Sequence, residues 1–149
     1  MRMLLVVLGF RGCRLAVIYP EITAMQTKAV LSAANAAQGK GAIVNLKLMI
    51  PLITTDHEVE EIVPVIKNVA EQLFKETGKT VAYDIGTMIE VPRACLRADA
   101  IIQEGDISFV SFGTNDLTQM TYGFSRDDSD RFLPYYVQKV LLLSVYVLL

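Results

Sequence analysis

Short apolar runs alternate with segments of helical periodicity along this chain of 149 residues. The apolar runs have the length of strands, and the periodic segments repeat their apolar positions every three or four residues. We expect strands at residues 4–8, 46–50, 81–88 and 107–112, and helices at residues 20–37, 56–76, 92–100 and 117–122. This order predicts an α/β domain of about four consecutive βα units around a parallel sheet. Periodicity alone leaves open a small doubly wound domain or half of an eight-unit barrel.

The helix expected at residues 56–76 carries the clearest boundary signals. Thr55 and Glu58 have the spacing of a capping box, and Gly78 is placed to end the helix. Pro64 lies inside the segment, where a proline removes a backbone hydrogen bond. We therefore expect this helix to be kinked or split at Pro64.

Composition excludes some classes of partner and site. A net charge of -2 provides no basic surface, so we expect no nucleic-acid partner. Cys13 and Cys95 lack metal-site spacing, and we expect two reduced thiols in an intracellular protein. His57, the only histidine, lies at a helix start, and we interpret it as a solvated residue.

Both ends of the chain are apolar. Residues 1–8 lack a signal-peptide cleavage site, so a buried strand is the better interpretation. Residues 140–149 are too short to span a bilayer, and we expect no membrane partner. We interpret residues 140–149 as foreign to the domain, and a buried terminal strand or helix is the alternative.

The strand expected at residues 107–112 ends in a cluster of groups suited to ligand binding. A glycine, a hydroxyl, an amide and a carboxylate follow one another: Gly113, Thr114, Asn115 and Asp116. Glu90 follows the preceding strand, two residues before a proline that is suited to begin a helix. This combination suits a small anion together with a hard metal ion. The alternatives are an ordinary turn and acidic residues that favour helix N-termini.

These segments resemble the phosphoenolpyruvate (PEP)-binding barrel of the pyruvate, phosphate dikinase family of PEP-utilising enzymes. The resemblance covers about residues 8–139 and is carried by several motifs in the same order. They are Phe10-Arg11-Gly12-Cys13-Arg14-Leu15, Met49-Ile50-Pro51-Leu52, and the segments at residues 86–94 and 111–128. PEP synthase and enzyme I of the sugar phosphotransferase system share the core Asn-Asp-Leu, but the longer run at residues 118–128 favours the dikinase.

The resemblance implies a partial (β/α)₈ TIM barrel, with residues 1–149 as one domain and residues 140–149 outside the family pattern. The parent enzyme, which is implied to be a homo-oligomer, interconverts ATP, phosphate and pyruvate with AMP, diphosphate and PEP. Its location is implied to be intracellular, in the cytoplasm or in an organelle such as a plastid.

The resemblance also assigns roles to individual residues. Arg11 is implied to be a catalytic residue that binds PEP or pyruvate, and Glu90 and Asp116 are implied to be Mg²⁺ ligands. Substrate contacts are implied for six residues: Arg11, Glu90, Gly113, Thr114, Asn115 and Asp116.

The sequence also departs from the family pattern. Asn45-Leu46-Lys47 stands where a proline and an acid are usual, and Asp84 stands where a basic residue is common. The family's phosphohistidine carrier and enolate proton donor do not match any segment of these 149 residues. We therefore expect these residues alone to be inactive as an enzyme. A non-catalytic binding or assembly module and a faulty gene model are the alternative hypotheses.

Overall fold

The computed structural model describes residues 9–142, apart from the side chain of Arg126. Three strands are present in this range: β1 (Leu46–Ile50), β2 (Tyr83–Ile89) and β3 (Phe109–Phe112). The helices are α1 (Cys13–Ile18), α2 (Pro20–Gly39), α3 (Asp56–Thr77), α4 (Pro92–Leu96), α5 (Ala98–Glu104), α6 (Thr114–Tyr122), α7 (Arg126–Ser129) and α8 (Leu133–Gln138). The strand expected at residues 4–8 and most of the apolar segment at residues 140–149 lie outside the described residues.

The three strands form one parallel sheet in the order β1-β2-β3. Ile50 at the end of β1 is in register with Thr87, and Ile89 at the end of β2 is in register with Phe112. The predicted α/β class and the parallel sheet are therefore confirmed. Because the strands run the same way in sequential order, their carboxyl ends lie along one edge of the sheet.

The boundaries of α3 follow the predicted signals. Glu58 donates its N–H to the Thr55 hydroxyl, and the Glu58 carboxylate accepts the N–H of Thr55, which completes the capping box. Gly78 ends the helix in the left-handed conformation, with a φ of 64°. The expected split at Pro64 is wrong, since α3 is one helix across it. Pro64 is exposed, so water can reach the carbonyl of the preceding turn that loses its partner.

Other helices differ from the prediction in their bounds. The helix expected at residues 92–100 is two helices, α4 and α5, which meet at Arg97. The helix expected at residues 117–122 begins earlier, at Thr114. Ser125 caps α7 by accepting the N–H of Asp127.

The main core lies between one face of the sheet and the helices, chiefly α1, α3 and α5. It contains Cys13, Ile50, Ile53, Val59, Ile62, Ile66, Ile85, Ile89 and Ile101. A second cluster of Leu31, Ala70 and Leu73 joins α2 to α3. On the other face of the sheet Lys47, Met49 and Asp84 remain about half-exposed. No helix among the described residues combines the length and the apolar character needed to cross a membrane.

Candidate functional site

Three of the predicted site residues meet beside the carboxyl ends of the strands. Glu90 is the first residue after β2, and Asp116 lies in the first turn of α6, three residues after Gly113. Arg11 donates from Nη2 to Asp116 Oδ2 over 2.5 Å, which brings together residues that are 105 positions apart. The side chain of Asp116 is 12% exposed and that of Arg11 is 43% exposed. The arginine therefore reaches solvent while its acidic partner is buried.

Glu90 is a buried carboxylate, and its own residue is only 5% exposed. Its Oε1 accepts the backbone N–H of Leu52 over 2.6 Å. Burial raises the pKa of Glu90, and the negative charge of Asp116 raises it further. The Leu52 N–H and the positive charge of Arg11 act in the opposite direction. Two acidic groups therefore share a poorly solvated space in which Arg11 is the nearby cation.

The turn after β1 holds the Arg11 segment against this site. Cys13 donates its N–H to the carbonyl of Pro51 over 3.1 Å, and its thiol donates to the carbonyl of Leu52 over 2.9 Å. Gly12 has a φ of 59°, and a Cβ there would lie 3.0 Å from the Leu52 Cβ. The Arg-Gly-Cys motif therefore packs against the Met-Ile-Pro-Leu motif.

Gly113 brings the turn between β3 and α6 close to Glu90. A Cβ at position 113 would overlap the Glu90 side chain, lying 2.5 Å from Oε2, and would also meet Met88 Sδ at 3.0 Å. Gly113 also donates its N–H to the carbonyl of Ile89 over 3.1 Å, which ties this turn to the end of β2. Glycine is needed here because of the close approach and not because of its backbone angles, since its φ is -84°.

Thr114 and Asn115 occupy the exposed start of α6, next to buried Asp116. N–H groups in the first turn of a helix have no partner within that helix, and they favour negative charge nearby. The site therefore combines two buried carboxylates with a partly exposed arginine and with the first turn of α6, where Thr114 and Asn115 reach solvent.

The acidic pair fits a hard divalent cation. Mg²⁺ in proteins is commonly bound by one or two carboxylates, with substrate oxygens and water completing its shell. Within residues 9–142 there is no cluster of three or more potential ligands from histidine, cysteine, aspartate and glutamate. The close pair of Glu90 and Asp116 matches the Mg²⁺ pattern better than that of a metal held by protein ligands alone.

Residues 6–144 match the family described as PEP-utilising enzyme, PEP-binding domain. The chain belongs to this family. The match includes every residue of the site described above. It confirms the resemblance inferred from the motifs.

Individual relatives of this PEP-binding domain are pyruvate, phosphate dikinases. The chain is 53% identical over 137 residues to the chloroplastic pyruvate, phosphate dikinase of Mesembryanthemum crystallinum, covering 92% of this chain and 14% of that protein. It is 53% identical over 135 residues to the chloroplastic pyruvate, phosphate dikinase 1 of Arabidopsis thaliana, covering 91% of this chain and 14% of that protein. It is 48% identical over 132 residues to the pyruvate, phosphate dikinase of Giardia intestinalis, covering 89% of this chain and 15% of that protein. The chain thus spans about one seventh of the length of these relatives.

Two contacts that support the PEP-binding domain were not predicted from the sequence. Leu52 donates to Glu90 through its backbone, so its side-chain type gives no signal. Thr87 is fully buried and donates its hydroxyl to the carbonyl of Ile50, which joins the ends of β1 and β2. A buried hydroxyl in a strand was the one available signal, at Thr87.

Other expectations about single residues in the domain are confirmed. His57 is exposed at the start of α3, where it pairs with Glu60 over 2.8 Å. Cys13 and Cys95 are both free thiols. The two departures from the family pattern, Lys47 and Asp84, form an ion pair of 2.8 Å between neighbouring strands. The charges that these departures introduce therefore balance each other.

Proposed function

We propose that this chain forms the PEP- and pyruvate-binding part of a pyruvate, phosphate dikinase. The observation that carries this proposal is the convergence of Arg11, Glu90 and Asp116 at the carboxyl ends of parallel strands. Enzymes built on parallel βα units place their chemistry at this edge. The parent enzyme would interconvert ATP, phosphate and pyruvate with AMP, diphosphate and PEP.

Each site residue has a role in this proposal. Glu90 and Asp116 hold Mg²⁺, which when bound supplies Lewis acidity toward the oxygens of the ligand. Arg11 is the catalytic arginine, and its planar guanidinium binds the carboxylate or phosphate of the substrate. Gly113, Thr114 and Asn115 complete the substrate contacts with backbone and side-chain donors at the start of α6.

The architecture we propose is a partial (β/α)₈ barrel, with residues 1–149 as one domain and residues 140–149 as a tail outside the family pattern. The sequential order of three parallel strands supports it. So does the difference between the two faces of the sheet, because one packs on helices and the other leaves Lys47, Met49 and Asp84 half-exposed. A barrel keeps its helices on the outer face alone.

We propose further that the 149 residues by themselves bind ligand without turnover, because the dikinases they match are about seven times longer. A coupled assay that detects PEP formation by the purified chain would contradict this. The parent enzyme would be a homo-oligomer located inside the cell, and the chloroplastic relatives make a plastid one candidate location.

Thermal unfolding with Mg²⁺ and PEP tests the binding proposal. A ligand that binds only the folded state raises the transition temperature. At a free ligand concentration of 100 times the Kd, the free energy of unfolding rises by about 2.7 kcal/mol. We expect Mg²⁺ and PEP to raise the transition temperature of the wild-type chain and to leave that of Glu90→Gln unchanged. Glu104→Gln, at an exposed residue at the end of α5, is the matched control and should respond like wild type. An equal rise in the Glu90→Gln variant would contradict the assigned site.

A second candidate function is self-association without catalysis. In the described part of the chain, β1 and β3 each have a strand partner on one side only. Phe112 at the end of β3 is 66% exposed, which is unusual for a large aromatic residue in a strand. Open strand edges pair readily with other chains. Light scattering that shows a monomer at high protein concentration would exclude this function.

A further inference from the structure

Leu52 has an unusual backbone conformation. Its φ is 64°, in the left-handed region that leucine rarely adopts, and its side chain is buried with 2% exposure. Strained backbone of this kind persists where the surroundings fix it, and it occurs preferentially at functional sites. The conformation therefore needs an explanation from what its backbone groups contact.

The three polar backbone groups of Pro51 and Leu52 each have a hydrogen-bond partner. The N–H of Leu52 donates to Glu90 Oε1 over 2.6 Å. The carbonyl of Leu52 accepts the Cys13 thiol over 2.9 Å, and the carbonyl of Pro51 accepts the Cys13 N–H over 3.1 Å. Cys13 is fully buried and lies two residues after Arg11. One side of the turn thus contacts the arginine segment and the other contacts the buried acid.

The contact to Oε1 determines how Glu90 presents its other oxygen. Oε2 faces Gly113, at the start of the turn that leads to Asp116. With Oε1 fixed by an N–H, the carboxylate is oriented toward the position where Asp116 can share a cation with it. The N–H also offsets part of the cost of burying the charge.

We propose that Leu52 is a positioning residue for a divalent cation held by Glu90 and Asp116. Its left-handed backbone directs its N–H toward Glu90, and the hydrogen bonds from Cys13 stabilise this conformation. This inference rests on the proposed function, because it takes Glu90 and Asp116 as the ligands. Partners that orient metal ligands typically contribute 10–100-fold to metal affinity. The ligand class is a hard divalent cation, and Mn²⁺ is a suitable probe for it.

The direct test removes the N–H donor of Leu52 from the turn. Leu52 is replaced by its α-hydroxy acid analogue, which turns the amide into an ester and keeps the leucine side chain. We expect Mn²⁺ affinity, measured by electron paramagnetic resonance without substrate, to fall about tenfold or more. The same ester substitution at Ile43, a fully exposed residue before β1, is the control and should leave the affinity unchanged. Equal affinity in the ester at position 52 and in wild type overturns the inference.

Cys13 offers a second test if the ester variant folds poorly. Cys13→Ala removes the thiol donor and Cys13→Ser keeps a donor, while Cys95→Ala changes an exposed thiol outside the turn. We expect weaker Mn²⁺ binding in Cys13→Ala, recovery to within about threefold in Cys13→Ser, and no change in Cys95→Ala. A merely structural role would lower the unfolding temperature in both Cys13 variants and leave their Mn²⁺ affinities equal to wild type, which overturns the inference.

A spectroscopic measurement separates this inference from the proposed function. The Leu52 amide proton should resonate downfield in the metal-free chain and move upfield in Glu90→Ala. If Leu52 does not respond to Glu90→Ala, the positioning contact is absent and this inference alone is overturned. If wild type binds no Mn²⁺, the proposed metal site falls and this inference falls with it.

Discussion

Arg11 and Asp116 form an ion pair, with 2.5 Å between Nη2 and Oδ2, across the carboxyl ends of the strands. An anionic ligand that takes the guanidinium leaves Asp116 beside Glu90 without that cation. A divalent metal would restore the balance of charge. In the proposed site the pair would therefore link anion binding to metal binding.

We expect Mg²⁺ and oxalate to bind cooperatively for this reason. Mg²⁺ should raise the affinity for oxalate at least fivefold, and oxalate should raise the affinity for Mg²⁺ by the same factor, since coupling between sites is reciprocal. Titration of each ligand in the presence and absence of the other measures both factors. Independent binding of the two ligands would show that Arg11 and the carboxylates do not belong to one site.

Substitution of Gly113 should damage the site through Glu90. The added methyl group of Gly113→Ala overlaps the Glu90 side chain, so we expect a loss of about 1–3 kcal/mol of unfolding free energy and a marked loss of Mg²⁺ binding. Urea unfolding and metal titration measure the two effects. Gly39→Ala is the matched control, because a Cβ there meets only the end of Lys79 at 4.0 Å. Wild-type metal affinity in Gly113→Ala would contradict the close packing.

The two cysteines should differ in reactivity. Burial, together with the nearby Glu58, raises the pKa of the Cys13 thiol from 9.0 to about 12. Because the thiolate is the reactive form, we expect iodoacetamide at pH 8 to label Cys95 and to spare Cys13 until the chain is unfolded. Mass spectrometry of digested samples identifies the labelled residue. Fast labelling of Cys13 in the folded chain would contradict its burial.

The raised pKa of Cys13 also predicts an effect of pH on stability. The folded chain holds the thiol proton more tightly than the unfolded chain does. The contribution of Cys13 to stability is therefore fully present below pH 9 and is lost as the pH rises toward 12. The free energy of unfolding should therefore fall less in Cys13→Ser than in wild type when urea unfolding is measured across this pH range.

The ion pair of Lys47 and Asp84 should tolerate exchange of its charges. Each side chain is about half-exposed, so we expect a coupling of about 0.2–1 kcal/mol in a double-mutant cycle. Asp84→Lys should destabilise the chain through two adjacent positive charges, and adding Lys47→Asp should recover most of the loss. Urea unfolding of the four chains gives the coupling. If the double variant were no more stable than Asp84→Lys alone, the pair would have no such role.

Local signals predicted the elements whose boundaries depend on nearby residues. The capping box of Thr55 and Glu58 and the left-handed Gly78 lie where the sequence indicated, because each needs only neighbours within a few residues. The split expected at Pro64 did not occur, since the effect of an internal proline depends on whether the helix face around it reaches water. The exposure of that face is a tertiary property.

The sequence predicted that the candidate site residues would lie close together, but it did not predict the contacts between them. Parallel strands bring their carboxyl ends to one edge, so Glu90 and Asp116 were expected to be close. The conformation of Leu52 was not predictable, because leucine has no preference for the left-handed region. It results from Cys13 on one side and Glu90 on the other, and both contacts join residues more than 35 positions apart.

The proposal that Asp116 helps to bind a divalent cation and an anion together is best tested by calorimetric titration of oxalate, with Mg²⁺ present, into wild type and Asp116→Ala. Asp99→Ala, at an exposed acid in the first turn of α5, is the control. We expect Mg²⁺-dependent heat of binding for wild type and Asp99→Ala, and no heat of binding for Asp116→Ala. Equal binding by Asp116→Ala, or no binding by a folded wild-type chain, would contradict this proposal.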